Sequence, residues 1–293
     1  MKRACVIGWP IEHSRSPLIH DYWLKKHGID GAYTKEAVPP ETVAQFLRSL
    51  GDNGFIGCNA TVPHKEAAFA AAQVKEPSAL AVAAANTLWI EGGKPHAANT
   101  DTYGFMTYLQ QRAPGWDAQD LPVSILGAGG AARAIVHGFL EAGVGEVRVF
   151  NRTRHRAEAL AQHFGPRVKA FDWRERGRRS RKAAVLVNTT TIGMNGIGSL
   201  DIDFHTFDAT CVVCDIVYVP LETELIVRAL GRGMRTVDGL GMLLHQAVPG
   251  FEKWFGVRPE VTPELRDLLV ATGVCTITPS PGSENATMVA TSP

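Results

Sequence analysis

Residues 123–134 read VSILGAGGAARA: a short apolar run, a glycine-rich turn, then the opening of an alanine-rich helical pattern. Gly127, Gly129 and Ala132 fall at the G-x-G-x-x-A spacing. The first glycine permits the tight turn, the second admits a ligand close to the backbone, and the small third residue lets helix and strand pack closely. Such a turn presents free N–H groups at a helix N-terminus, a site for a pyrophosphate. Apolar, largely β-branched runs recur at 123–126, 147–150, 185–187, 211–217 and 235–237, with helical patterns between them. The second half therefore predicts a Rossmann-like, doubly wound, dinucleotide-binding domain. Gly127, Ala128, Gly129, Gly130 and Ala131 would surround the pyrophosphate.

The first half also alternates strand and helix. Strands are predicted at ACVIG, AYTKEAV, GFIGCNA and NTLWI, the last running into EGGKPHAA as a hairpin. Helices are expected to begin at Pro17, Pro40 and Pro63, with Ser16 as the cap of the first and Gly28 as its end. After Gly239 a helix follows, broken or bent near Pro249, and VTPELRDLLVA gives another with Thr262 as cap. A chain of 293 residues is long for one core. The expected α/β organisation is a first domain at 1–102, the nucleotide domain at 103–238, and C-terminal helices at 239–272 packing back on the first domain. The remainder, 273–293, is rich in Ser, Thr and Pro and is expected to be disordered.

The formal net charge of +1 gives no electrostatic case for nucleic acid or a membrane surface. No apolar run is long enough to span a bilayer. The opening MKRACVIGWP reads as a strand rather than a signal peptide, so a cytoplasmic location is expected. Cys211 and Cys214 form a C-x-x-C inside a strand pattern, where residues three apart face opposite ways, and no second pair completes a metal site. Buried thiols and no bound metal are expected. The basic stretch from Arg174 to Lys182 is read as a solvated turn.

The end of the second strand of the nucleotide unit bears on cofactor choice. An acidic residue there would bond both ribose hydroxyls of NAD. This chain instead reads VFNRTRHRAEAL, with Asn151, Arg152, Arg154 and Arg156 before the first acid, Glu158. Guanidinium groups bind a 2′-phosphate through charge-assisted bonds, and three of them near a positive helix end call for an anion. NADP is the expected cofactor.

In NATVPHKEAAF, residues 59–69, Pro63 suits a first helical turn and places Lys65 within it. A cation is disfavoured there. Lys65 is either a surface lysine, solvated or paired with Glu66, or a group whose surroundings adapt it to proton transfer.

Several separated blocks together resemble the shikimate dehydrogenase family. They are HSRSP (13–17), NATVPHK (59–65), ANT (85–87), NTD (99–101), GAGGAARA, NRT, DIVYVP and DGLGMLLHQA. The resemblance covers about residues 3–271 and implies reversible, NADPH-dependent reduction of 3-dehydroshikimate by a monomer or homodimer. It implies that Ser14 and Ser16 bond the substrate carboxylate, and that Thr61, Asn86, Tyr218 and Gln246 hold or line the ring. Lys65 and Asp101 would be the catalytic pair. Asn151, Arg152, Thr153 and Arg156 would take the 2′-phosphate, with Gly239 and Met242 on the nicotinamide side. No chemistry is assigned to His13, His64 or His245. The chain departs from the family pattern at Ala60, at AAANT (83–87) where GAVNT is usual, and at Thr102 and Thr191. Quinate is the competing substrate, and a catalytically weak NADP-binding module is the alternative of another class. Retention of both Lys65 and Asp101 argues against that module.

Overall fold

The computed structural model describes residues 1–272 and contains two six-stranded sheets. The first is built from β1 (Lys2–Gly8), β2 (Gly31–Ala37), β3 (Gly57–Ala60), β4 (Val74–Lys75), β5 (Thr87–Glu91) and β6 (Lys94–Ala98), in the order β2-β1-β3-β5-β6-β4. β1 lies parallel to both β2 and β3, while β3–β5 and β5–β6 are antiparallel. The β5–β6 hairpin turns on Gly92 and Gly93, whose φ angles of +58° and +74° suit glycine at both positions.

The second sheet contains β7 (Val123–Leu126), β8 (Val147–Asn151), β9 (Val168–Asp172), β10 (Val185–Asn188), β11 (Val212–Asp215) and β12 (Thr236–Val237). Its order is β12-β11-β10-β7-β8-β9, parallel throughout. This is the doubly wound arrangement, with the strand order reversing between β7 and β10, where a ligand crevice forms beyond the strand ends. β7, β10 and β11 are buried along their whole length, as strands covered on both faces must be. Cys211 and Cys214 pack into separate cores. Burial pushes the Cys211 thiol up to about 12 and that of Cys214 well above its ordinary value, so neither presents a thiolate.

The helices are α1 (Ser16–Lys26), α2 (Val43–Arg48), α3 (Lys65–Ala71), α4 (Pro77–Val82), α5 (Asp101–Arg112), α6 (Gly130–Glu141), α7 (Arg154–Phe164), α8 (Arg176–Arg179), α9 (Glu224–Leu230), α10 (Gly239–Phe255) and α11 (Pro263–Ala271). α5 leads from the first sheet to the second, and α10 leads back. The two cross so closely that a Cβ on Gly241 would fall 2.2 Å from the Tyr108 ring, and one on Gly104 would lie 2.7 Å from Gln246 Cβ. α10 and α11 then join the first sheet's core, where Phe251, Trp254, Leu265 and Leu269 pack with Trp23 and Val6.

Several boundaries differ from expectation. α2 begins three residues after Pro40, and Pro63 lies outside α3, whose first residue is Lys65. Ser16 is the first residue of α1 rather than its cap, and its N–H donates to Ser14 Oγ at 3.4 Å. α10 runs unbroken through Pro249. The backbone bond a proline cannot make is offset by burial of Val248, Gly250 and Phe251. Part of the basic stretch is structured rather than solvated. Glu175 pairs with Arg178 and Arg179, and Arg176 donates to the Leu200 carbonyl. The expected tail lies outside the described residues.

Candidate active site

A cleft of about 230 Å³ opens between the two sheets, a size suited to one small ring acid. Lys65 enters it from the start of α3 and Asp101 from the start of α5, 36 positions later. Lys65 Nζ donates to Asp101 Oδ2 at 2.5 Å. The other carboxylate oxygen accepts from Asn86 Nδ2 at 3.0 Å, while the Asp101 N–H donates to Asn99 Oδ1. Asp101 is therefore not spent on capping α5. Its carboxylate is 7% exposed and the lysine side chain 18%, so the pair faces the cleft from a largely desolvated position.

Asn86 is the centre of this polar wall. Its Nδ2 also lies 3.2 Å from Gln246 Oε1, and its Oδ1 accepts from the Thr100 N–H at 2.8 Å. Thr100 in turn donates to the Gln246 carbonyl, tying α5 to α10 beside the Asp101 carboxylate. Ser14 and Ser16 line the cleft at the N-terminus of α1, where the helix dipole favours an anion. Thr61, following β3, and Tyr218, beyond β11, complete the group of predicted ring contacts that share the cleft. Asn59 also stands on this wall and was not singled out from sequence. Its place in the NATVPHK block was the available signal.

The nucleotide unit closes the opposite side. Ala131, Gly239 and Met242 line the same cleft. The turn at Gly127, Ala128, Gly129 and Gly130 lies beyond the lining, at the start of α6. Gly127 has φ +108°, and a Cβ there would meet Thr189 Oγ1 at 2.6 Å, so only glycine fits. Gly129 has open space around it, and a Cβ on Gly130 would meet only the Lys65 Cδ, at 3.9 Å. The N-terminus of α6 is thus an open backbone cradle beside the lysine, as a pyrophosphate requires.

Farther out, at the end of β8, Asn151 Nδ2 donates to the Thr153 carbonyl at 2.8 Å and fixes the turn into α7. Arg154 pairs with Glu158. Arg152 and Arg156 are exposed, and no hydrogen bond or ion pair joins their side chains to another described residue. The unengaged guanidiniums and the small open turn fit a dinucleotide with an extra phosphate. His64 and His245 are structural: His64 Nε2 meets the Val38 carbonyl at 2.7 Å and His245 Nε2 meets Gln111 Oε1 at 3.0 Å. His13 lines the cleft without an assigned role. Among the described residues, no group of three or more His, Cys, Asp or Glu is placed to hold a metal.

Three family models match the chain. They are the shikimate dehydrogenase substrate binding domain over residues 6–88, shikimate / quinate 5-dehydrogenase over 109–198, and the shikimate 5′-dehydrogenase C-terminal domain over 239–263. A shikimate dehydrogenase (NADP(+)) from Azorhizobium caulinodans is 52% identical over 271 residues, covering 92% of this chain and 96% of that protein. Among solved structures, shikimate 5-dehydrogenase from Thermus thermophilus in complex with NADP(H) and shikimate is similar with TM-score 0.82 and 33% identity, over 93% of this chain and 99% of that one. Quinate dehydrogenase from Corynebacterium glutamicum in complex with NAD is similar with TM-score 0.84 and 28% identity, over 92% and 99%.

Proposed function

The chain belongs to the shikimate dehydrogenase family, and from that premise and the geometry of the cleft we infer that it catalyses the reversible, NADP-dependent reduction of 3-dehydroshikimate to shikimate. The carrying observation is the Lys65–Asp101 pair, held by Asn86 in one small cleft beside the N-terminus of α6. Residues 1–102 with 239–272 act as the substrate unit and 103–238 as the NADP unit.

When bound, NADP supplies the hydride acceptor for the secondary alcohol, or NADPH the donor for the ketone. Everything else falls to side chains and backbone. Ser14 and Ser16, at the positive end of α1, hold the substrate carboxylate. Thr61, Asn86 and Gln246 hold ring hydroxyls, and Tyr218 borders the ring. Lys65 and Asp101 manage the proton that leaves or joins the reacting oxygen. Gly127, Ala128, Gly129, Gly130 and Ala131 receive the pyrophosphate. Asn151, Arg152, Thr153 and Arg156 receive the 2′-phosphate, while Gly239 and Met242 border the nicotinamide. The enzyme acts in the cytoplasm as a monomer or homodimer, and no helix among the described residues is long and apolar enough to cross a membrane.

Following NADPH formation by absorbance, with shikimate and quinate in parallel and NADP⁺ beside NAD⁺, tests the assignment. Shikimate with NADP⁺ should give the highest kcat/KM. Preference for quinate, or turnover absent with both acids, would refute it.

A further inference from the structure

Lys65 opens α3 and Asp101 opens α5, so the bond between their side chains requires two helix starts to be held at one separation. The short segment 84–86 joins them. On one side the Ala85 N–H donates to the Lys65 carbonyl at 2.9 Å. On the other, the Ala84 carbonyl accepts from Asn99 Nδ2 at 3.2 Å, and Asn99 Oδ1 accepts the Asp101 N–H at 3.1 Å. The connection runs from the Lys65 backbone to the Asp101 backbone, and Asn99 is the one side chain in its path.

Asn99 has little freedom there. It is buried and does not line the cleft, and its own N–H donates to Ser78 Oγ at 3.1 Å. The Asn86 N–H donates to the Ala98 carbonyl at 3.1 Å, so the chain on either side of Asn99 is pinned to the same segment. Turning the amide over would set its Nδ2 against the Asp101 N–H and its Oδ1 against the Ala84 carbonyl, losing both bonds. The nucleotide unit backs the segment as well: Arg133 Nη1 donates to the Val82 carbonyl, and Val82 and Ala84 pack on Ala134.

Capping the first turn of α5 needs only an acceptor for the Asp101 N–H. The second bond, back to the Ala84 carbonyl, ties that turn to the segment that holds the lysine. Spacing matters for proton transfer, since a misplacement of about 1 Å can cost roughly 10²-fold in rate.

We propose that Asn99 is a positioning residue that sets the separation of Lys65 and Asp101, acting through the Asp101 N–H and the Ala84 carbonyl. The proposal rests on the acid–base role given to that pair above.

Two variants test it. Asn99→Ala removes both bonds, whereas Asn99→Ser keeps an acceptor for the Asp101 N–H and loses the tie to Ala84. Steady-state kinetics should show kcat lowered about tenfold or more in Asn99→Ala and about threefold in Asn99→Ser, with KM for shikimate and for NADP⁺ within about twofold of the parent. In the Lys65→Ala background, Asn99→Ala should lower kcat little further, because the pair it spaces is already gone. Parental kcat in both folded variants, with only the urea midpoint lowered, would make Asn99 a helix cap and overturn the proposal. So would a raised KM at unchanged kcat, or the full loss repeated in the Lys65→Ala background. Should Asn99→Ala not fold, Asn99→Ser decides by the same kcat and KM readings. Failure of the parent protein to turn over shikimate would instead count against the function inferred above.

Discussion

A lysine at the first position of a helix works against the helix dipole, and Lys65 is held there by a carboxylate that Asn86 orients from the other side. Hydride transfer at a secondary alcohol requires a proton to move at the same oxygen, and a positioned acid–base group contributes roughly 10²–10⁴-fold. Lys65→Ala should therefore lower kcat by roughly that factor. Shikimate affinity should change far less, since Ser14, Ser16, Thr61 and Gln246 remain. Near-normal kcat with a normal pH profile in the folded variant would reduce Lys65 to a positioning role. At the cofactor end, Arg152→Asp should sharply weaken use of NADP⁺ and spare NAD⁺, each lost charge-assisted bond being worth roughly 1.5–3 kcal/mol. Equal losses with both cofactors would remove the phosphate clamp. Lys65 and Arg152 stand out in the sequence because each carries a charge that local structure alone leaves unexplained, whereas Ser14, Ser16, Thr61 and Gln246 are expected only through the family resemblance.

Between elements, the two units are clasped at α6. The Thr102 hydroxyl, one residue after Asp101, donates to the Ala134 carbonyl at 2.8 Å. Arg133 Nη1 donates to the Val82 carbonyl at 3.3 Å and His163 Nε2 meets the Ala81 carbonyl at 2.7 Å, so α6 and α7 grip the end of α4. Val82, Ala84 and Ala134 bury a small apolar cluster at the same corner. Thr102, a departure from the family pattern, thus joins the helix that carries Asp101 to the helix that opens on the glycine turn. Thr102→Val keeps the branched shape but loses the hydroxyl. It should cost about 0.5–1.5 kcal/mol in urea unfolding and lower kcat, while Thr102→Ser retains both. Equal stability of Thr102→Val and the parent would show the clasp to be idle. None of this could be read from the chain before folding, although the second sheet largely could: five of its strands stand where apolar runs recur. β9 was missed because VKAFD is a half-buried edge strand with two charges, and the two-residue β4 has no periodicity at all. Proline misled at both ends of the scale. Pro40 and Pro63 stand in turns ahead of their helices, whereas Pro249 is carried inside one by packing.

Across the whole molecule, two buried groups, one in each half, should oppose each other in the pH dependence of stability. Burial pushes the His20 imidazole down to about 3 from its ordinary 6.5. Burial also raises the Asp215 carboxyl to about 7 from 3.8, partly offset by donors from Thr223, Val217 and Asn188. For His20 the unfolded state binds the extra proton, so its contribution to stability rises with pH between about 3 and 6.5. For Asp215 the folded state binds the extra proton, so its contribution is fully present below about 3.8 and is lost as pH rises through about 7. Each slope approaches about 1.4 kcal/mol per pH unit. Between about 4 and 6.5, unfolding releases a proton at Asp215 and takes one up at His20, and the two slopes cancel. The cancellation holds only if both halves unfold together, which the close crossing of α5 and α10 favours. Urea unfolding at several pH values in this window should show it. Asp215→Asn should make the stability of the protein rise more steeply with pH than the parent's, and His20→Phe should make it rise less steeply or fall. Two separate transitions in the parent, one strengthening and one weakening as pH rises, would mean that the sheets unfold independently. Unchanged slopes in both variants would mean that neither group is held neutral by the fold.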